Sequence, residues 1–97
     1  IPMSFHALKS HAITTLDFLT PTDIWRHYGW TISDATQLDA LGLTPPIRRT
    51  KVKLVNDSFG KFYGNDWTNV SPDEMENCES IGDFINLVAL HANIRIV

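Results

Sequence analysis

The sequence predicts an all-α protein of one domain, and three observations favour this class. Apolar residues recur at helical spacing in four segments, turn-forming residues separate those segments, and nothing in the sequence indicates a sheet. Of the 97 residues, 43% are hydrophobic and 20% are charged, which is the composition of a chain that can bury one core.

The first segment covers residues 4–19 and is predicted to be helical. Its apolar residues keep helical spacing: Phe5, Leu8, Ala12, Leu16 and Leu19. The run of three β-branched residues at 13–15 works against a helix. A second helical stretch, residues 23–28, follows Pro21 and ends at Gly29, so the two stretches form either two helices or one helix that is bent at the proline.

Residues 31–43 are predicted to form a loop with buried leucines, and a helix is predicted to follow it. Pro45 and Pro46 suit the first turn of that helix, where a missing N–H costs no hydrogen bond. The helix should extend to about Phe59, with Gly60 and Gly64 ending it.

Two further helices are predicted from their first residues. The sequence Ser-Pro-Asp-Glu at 71–74 has the N-cap, the first-turn proline and the early acids of a short helix. Ser80 begins the last helix. We expect one shared core that contains Leu38, Leu41, Val52, Val55, Phe59, Ile81, Phe84, Ile85 and Val88.

Three motifs in this order resemble those of acyl carrier proteins. ISDATQLDALGL, at 32–43, resembles the loop that precedes their second helix, and SPDEM and CESIGDFINLV resemble the starts of their third and fourth helices. The resemblance covers residues 22–92. It implies a small four-helix bundle over residues 21–93, preceded by a helical N-terminal extension over residues 1–20 and followed by a tail at 94–97.

In this family a serine at the start of the second helix carries phosphopantetheine. Here the family's Asp-Ser-Leu falls on Thr44, Pro45 and Pro46, and Pro45 has no hydroxyl to modify. This departure from the family pattern at Pro45 predicts a domain without the cofactor. The alternative is a working acyl or peptidyl carrier that bears phosphopantetheine on Ser58, because Asp57-Ser58-Phe59 imitates the family motif.

The second helix carries four of the eight basic residues of the chain: Arg48, Arg49, Lys51 and Lys53. We expect these residues to lie on exposed stripes that bind a protein partner with an acidic surface. The other interpretation is a solvated face without a partner. The leading hypothesis is therefore a non-catalytic carrier-like protein that acts through protein binding. A small DNA-binding or regulatory domain is a third hypothesis, although the net charge of −3 is against it.

Other kinds of chemistry lack a pattern in this sequence. The four histidines and Cys78 do not have the spacing of a zinc site, and neither a phosphate-binding loop nor a nucleophile motif is present, so we expect neither metal nor catalysis. No apolar run reaches the ~20 residues that a membrane span needs. A single cysteine favours a reducing compartment, and we expect a cytoplasmic protein.

Overall fold

Four α-helices lie in residues 5–19 and 33–93, the part of the chain that the computed structural model describes. They are α1 (Phe5–Leu19), α2 (Pro45–Tyr63), α3 (Pro72–Asn77) and α4 (Ile81–His91). No strand occurs in this described part, so the predicted all-α class is confirmed. The predicted helical stretch at 23–28 and the tail at 94–97 lie outside the described residues.

The helix α1 belongs to the bundle. Leu8, Ala12, Leu16 and Leu19 are buried in the same core as the other helices, with α4 as a principal neighbour. The segment predicted as a helical N-terminal extension is helical over Phe5–Leu19, and this helix packs into the shared core. The threonines of the β-branched run fit the helix because Thr15 Oγ1 donates a hydrogen bond to the carbonyl four residues earlier, and Thr14 does the same.

Residues 33–43 are held against the start of α4 by backbone hydrogen bonds. Leu38 N–H donates to the Glu79 carbonyl at 2.8 Å, and Gly82 N–H donates to the Asp34 carbonyl at 2.8 Å. A Cβ atom at Gly82 would come within 3.1 Å of that same Asp34 carbonyl oxygen, so the close approach favours glycine. The first half of the segment, residues 34–38, is thereby fixed to the start of α4.

The Leu-Gly-Leu sequence at 41–43 turns the chain into α2. A 3₁₀ turn at Asp39–Leu41 ends at Gly42, whose φ of 86° lies in the left-handed region that favours glycine. Leu41 and Leu43 on either side are both buried. Gly42 therefore allows a sharp turn between two buried core residues, Leu41 and Leu43.

The helix α2 starts where the sequence predicts and ends later than predicted. Thr44 is its N-cap, and Pro45 and Pro46 occupy its first two positions. Gly60 does not stop the helix, because its φ is not positive and it continues the helical backbone. Gly64, with a φ of 58°, ends α2 at Tyr63.

The starts of α3 and α4 confirm the predicted caps. Ser71 and Glu74 form a capping box at α3, in which the serine side chain accepts from Glu74 N–H and the glutamate accepts from Ser71 N–H. Ser80 and Asp83 form the equivalent box at α4. Each box satisfies two backbone N–H groups that would otherwise lack partners.

The predicted core is confirmed. Eight of the nine expected residues are buried, and Val52 is partly buried against them. Phe84 is fully buried. Among the residues that the structure describes, the other buried apolar ones are Leu8, Ala12, Leu16, Leu19, Leu43, Val70, Met75, Cys78, Ala89 and Ala92.

Candidate functional site

The first turn of α2 begins with two prolines, and Pro45 stands where the predicted resemblance would require a serine. Pro45 and Pro46 hold φ near −65° there and supply no N–H. Thr44 precedes them as N-cap, and its side chain caps no backbone group. This corner is consequently rigid, and its second and third residues offer no atom for a phosphodiester.

Arg48 is buried, with 3% of its surface exposed. Its Nη1 donates to Asp39 Oδ1 and to the Leu43 carbonyl, both at 2.8 Å, and its Nε and Nη2 donate to the Glu76 carbonyl at 3.2 and 2.7 Å. The guanidinium therefore joins the turn before α2, α2 itself and the end of α3. The prediction that Arg48 lies on an exposed, partner-binding stripe is wrong.

The position of Arg48 follows from its spacing along α2. Residues 48, 52, 55 and 59 are separated by four, three and four positions, so Arg48 shares the face of Val52, Val55 and Phe59. This signal is present in the sequence. The charge of the side chain masked it, because arginine is seldom buried unless its donors are all paired.

Arg49 is exposed and lies on the side of α2 that faces α3. Its Nη1 forms salt bridges with Asp73 and with Glu76 Oε2, the latter at 2.7 Å. Hydrogen bonds to Asp73, and then to Glu76, raise the pKa of the Arg49 guanidinium. Two of the four basic residues that were predicted to bind a partner are thus engaged within the domain.

Asn56 lies on the same side of α2 as Arg48 and Arg49. We call these three residues the α3-facing flank. The Asn56 side chain donates to the Val70 carbonyl at 3.0 Å and accepts from Val70 N–H at 2.8 Å and from Trp67 Nε1 at 3.3 Å. The loop before α3 is therefore pinned to α2. All three polar side chains of the flank have partners.

His91 fixes the same loop to α4. Its Nδ1 donates to the Thr68 carbonyl at 2.6 Å, and its Nε2 lies 2.9 Å from Glu74 Oε2. The pKa of Glu74 is lowered by the hydrogen bond from Ser71 N–H and, next, by the bond from His91. This histidine has a structural position between α3 and α4.

Lys51 and Lys53 are the predicted partner-binding residues that stay available. Lys53 is exposed and Lys51 is half-buried, and neither forms an ion pair with a residue in the described part of the chain. Lys61, which the sequence analysis did not select, is exposed and equally unpaired within that part. Its spacing of ten residues from Lys51 places it near the same side of α2.

Ser58, the alternative carrier serine, lies in the interior of α2. It is half-buried, and its Oγ lies 3.3 Å from His11 Nε2 on α1. Backbone N–H groups at this depth are used within the helix, so the unpaired donors that favour a phosphate at a helix N-terminus are missing here. The geometry does not favour an arm on Ser58.

His11 lies between α1 and α2 in an apolar environment. Its ring centroid is 4.3 Å from that of Phe59 and 4.8 Å from that of Phe62. Burial lowers the pKa of His11, and its Nδ1 is buried without a hydrogen-bond partner among the described residues. An unpaired buried nitrogen is uncommon in a folded domain and costs free energy.

An apolar groove runs beside this histidine. It contains a cavity of about 310 Å³, whose lining includes His11 and Phe18 from α1 and Leu54 and Ser58 from α2. Phe18 is 78% exposed, Leu54 41% and Phe62 65%. We call this cavity with its three exposed apolar side chains the α1–α2 groove; nothing in the sequence analysis identified it.

Other chemistry finds no support in the described residues. No group of three or more His, Cys, Asp or Glu side chains among them is placed to hold a metal ion. Cys78 is buried, and burial raises its pKa to about 11, so the thiol stays protonated at neutral pH. None of the described helices has the length and apolar character that crossing a membrane demands.

Comparisons of the chain with protein-family models, with curated proteins and with solved structures each found no match.

Proposed function

We propose that this chain is a carrier-like helical domain without a prosthetic arm, and that it acts by binding another protein through α2. The exposed surface of α2 is the observation that carries the proposal. This surface starts with Pro45 and Pro46, where the family resemblance places the serine, and it continues with lysines that have no described carboxylate partner.

The first part of the proposal concerns the missing arm. Phosphopantetheine is attached through a hydroxyl, and Pro45 has none. Ser58 is half-buried in the middle of α2, with its Oγ 3.3 Å from His11 Nε2, which supports the carrier alternative poorly. The proposed domain consequently needs no cofactor and performs no catalysis of its own.

The second part concerns the partner. Lys51 and Lys53 project from a helix whose start is already rigid, so little conformational entropy is lost when a partner docks there. Two unpaired positive charges favour a partner with an acidic surface and speed its approach at low salt. We also propose that the domain works in the cytoplasm, where its single cysteine stays reduced.

The DNA-binding hypothesis loses support from the same helix. Arg48 is buried and Arg49 is paired with two acids, so only two of the four predicted basic side chains could reach a phosphate backbone. The chain as a whole has a net charge of −3. Affinity for nucleic acid depends on several free positive charges acting together.

The missing arm is tested by intact-mass measurement. The protein is incubated with coenzyme A and a promiscuous phosphopantetheinyl transferase, beside a conventional acyl carrier protein as the positive control. We expect no mass gain for the wild type. The Pro45→Ser variant should gain little or none, because Pro46 and Arg49 stay in the flanking sequence. A phosphopantetheine adduct on any serine of the wild type would overturn the proposal.

The partner is tested by affinity capture with two matched baits, the wild type and a Lys51→Glu/Lys53→Glu variant. Lys53 is exposed and Lys51 is half-buried, and neither forms an ion pair with a described residue, so the fold should be kept, and circular dichroism checks this. We expect proteins with acidic patches to be retained by the wild type, lost with the variant and released by salt. Equal retention by both baits would show that α2 is only a solvated face.

A further inference from the structure

We propose that the α1–α2 groove is the docking site, and that it receives an amphipathic helix of the partner whose apolar ridge is flanked by acidic residues. This inference rests on the proposed function, because it assumes that the domain acts by binding a protein. It adds the site, the shape of the partner segment and the side chains that recognise it.

The apolar character of the groove is the first observation. Phe18 and Phe62 are the most exposed aromatic side chains among the described residues for which exposure is given, at 78% and 65%. Phe18 and Leu54 line one cavity, and Phe62 lies against His11, which lines the same cavity. Contiguous exposed apolar residues around a concavity are typical of a binding surface, whereas isolated ones are ordinary.

The shape of the groove is the second observation. A cavity of about 310 Å³ between two helices can accept side chains that project from a ridge. An amphipathic helix presents such a ridge, with apolar residues at i, i+3, i+4 and i+7. The flat surface of a bilayer offers no such ridge, and this favours a protein segment over a membrane.

Charge is the third observation and selects the partner. Lys51, Leu54, Ser58 and Lys61 are spaced by three, four and three residues, so they follow one stripe of α2 beside the groove. The two lysines are ten residues apart, which corresponds to about 15 Å along the helix. No acidic side chain is among the described lining residues of the cavity.

The groove therefore has an apolar centre with a positive charge towards each end of its α2 side. A partner helix should carry large apolar residues along its ridge and acids about three turns apart. Two acids of α3, Asp73 and Glu76, already pair with Arg49, so α3 of a second copy of this chain fits less well as the docked helix.

The probe is a designed amphipathic helical peptide with leucines at i, i+3, i+4 and i+7 and glutamates beside them. Its matched control has lysines in place of the glutamates. Titration of the full isotope-labelled protein, followed by NMR, should show shifts around Phe18, Leu54 and Phe62 with the acidic peptide only. The proposal that the groove is the docking site would be overturned if neither peptide bound, if both bound equally, or if the shifts were confined to other helices.

Variants then locate the site. Phe18→Gln should lower the affinity for the acidic peptide about tenfold, as expected for an aromatic side chain at the centre of an interface. The matched control is Leu90→Gln on α4, which changes a side chain of similar exposure, 71%, outside the groove and should leave affinity unchanged. Equal weakening by both variants would overturn the proposal. So would tight self-association in sedimentation that Phe18→Gln abolishes, since the groove would then be an interface between copies.

Charge variants separate this inference from the proposed function. Lys51→Glu/Lys61→Glu should make the protein prefer the lysine peptide. If Lys53→Glu weakens binding of the acidic peptide and Lys61→Glu does not, the peptide contacts another side of α2. The groove is then not the docking site, while the proposed function still stands. A phosphopantetheine adduct has the opposite consequence, because it would remove the arm-free function and leave the peptide result intact. Tight binding to anionic vesicles, with none to the acidic peptide, would overturn the inference in favour of a membrane.

Discussion

The two flanks of α2 differ in how completely their polar groups are paired. On the α3-facing flank the side chains of Arg48, Arg49 and Asn56 all have partners. On the side of the α1–α2 groove, His11 Nδ1 has none among the described residues, and Phe18 is largely exposed. On one side of α2, the polar side chains thus all have hydrogen-bond partners. On the other side, a buried nitrogen lacks a partner and an apolar side chain is exposed to solvent.

This difference separates stability from binding. Buried polar groups stabilise a fold only when they are paired, and the α3-facing flank meets that condition. Exposed aromatic side chains contribute little to the stability of the free domain but lose their contact with water when a partner covers them. We therefore expect substitutions on the α3-facing flank to change stability, and substitutions in the groove to change binding.

The largest loss of stability is expected at Phe59, which joins the two flanks. Its ring lies 4.3 Å from His11 and 5.2 Å from Trp67, and the residue is fully buried. Phe59→Ala should lower the free energy of unfolding by about 3–5 kcal/mol, measured by urea denaturation. Phe62→Ala, at a 65% exposed position, is the control and should change it by less than about 1 kcal/mol. Similar losses for both would mean that the groove is part of the core.

The next largest loss is expected for Arg48→Ala. The change leaves the buried carbonyl of Leu43 and the partly buried carbonyl of Glu76 without this donor, which should cost about 2–3 kcal/mol. Arg49→Ala is the matched control, and it should cost less than about 1 kcal/mol because its salt bridges are exposed. Equal costs in urea denaturation would contradict the assignment of Arg48 as the buried link.

A pH effect should appear on the groove side. Burial lowers the pKa of His11 below its usual 6.5, so the unfolded chain takes up this proton at a higher pH than the folded chain. The stability from neutral His11 is fully present above pH 6.5 and falls as the pH drops through the lowered pKa. His11→Phe should reduce the loss of melting temperature between about pH 7.5 and 5.5. An unchanged slope would place the titration elsewhere.

The smallest effect is expected at Glu74, beside the paired flank. The bonds from Ser71 N–H and His91 lower its pKa below the usual 4.5, so its stabilisation is present above pH 4.5 and is lost as the pH falls through the lowered value. The carboxylate is partly exposed, which keeps the effect small. Glu74→Gln should flatten the acid side of the stability profile and leave the region near pH 6.5 as in the wild type. Loss of the His11 effect in this variant would show that the two regions are coupled.

The sequence by itself determined the elements whose causes are local. The capping residues Ser71 and Ser80, the prolines that start α2 and the 3.6-residue spacing of the core act over one or two turns of chain, so they can be read from neighbouring residues. Eight of the nine predicted core residues are buried, with Val52 packed beside them, and they could be predicted for the same reason. The sequence also contained the spacing that places Arg48 on the core face, although its charge suggested the surface.

The tertiary structure alone decided which polar and apolar residues have partners. Arg48 is stabilised in the interior because carbonyls from residues 43 and 76 converge on it, and their distance along the chain conceals that meeting. Gly60 continues α2 although glycine often ends helices, because the backbone does not turn left-handed until Gly64. The α1–α2 groove exists because residues 11 and 58, which are 47 positions apart, are brought together by helix packing. Contacts of this kind depend on the whole fold and not on any local pattern.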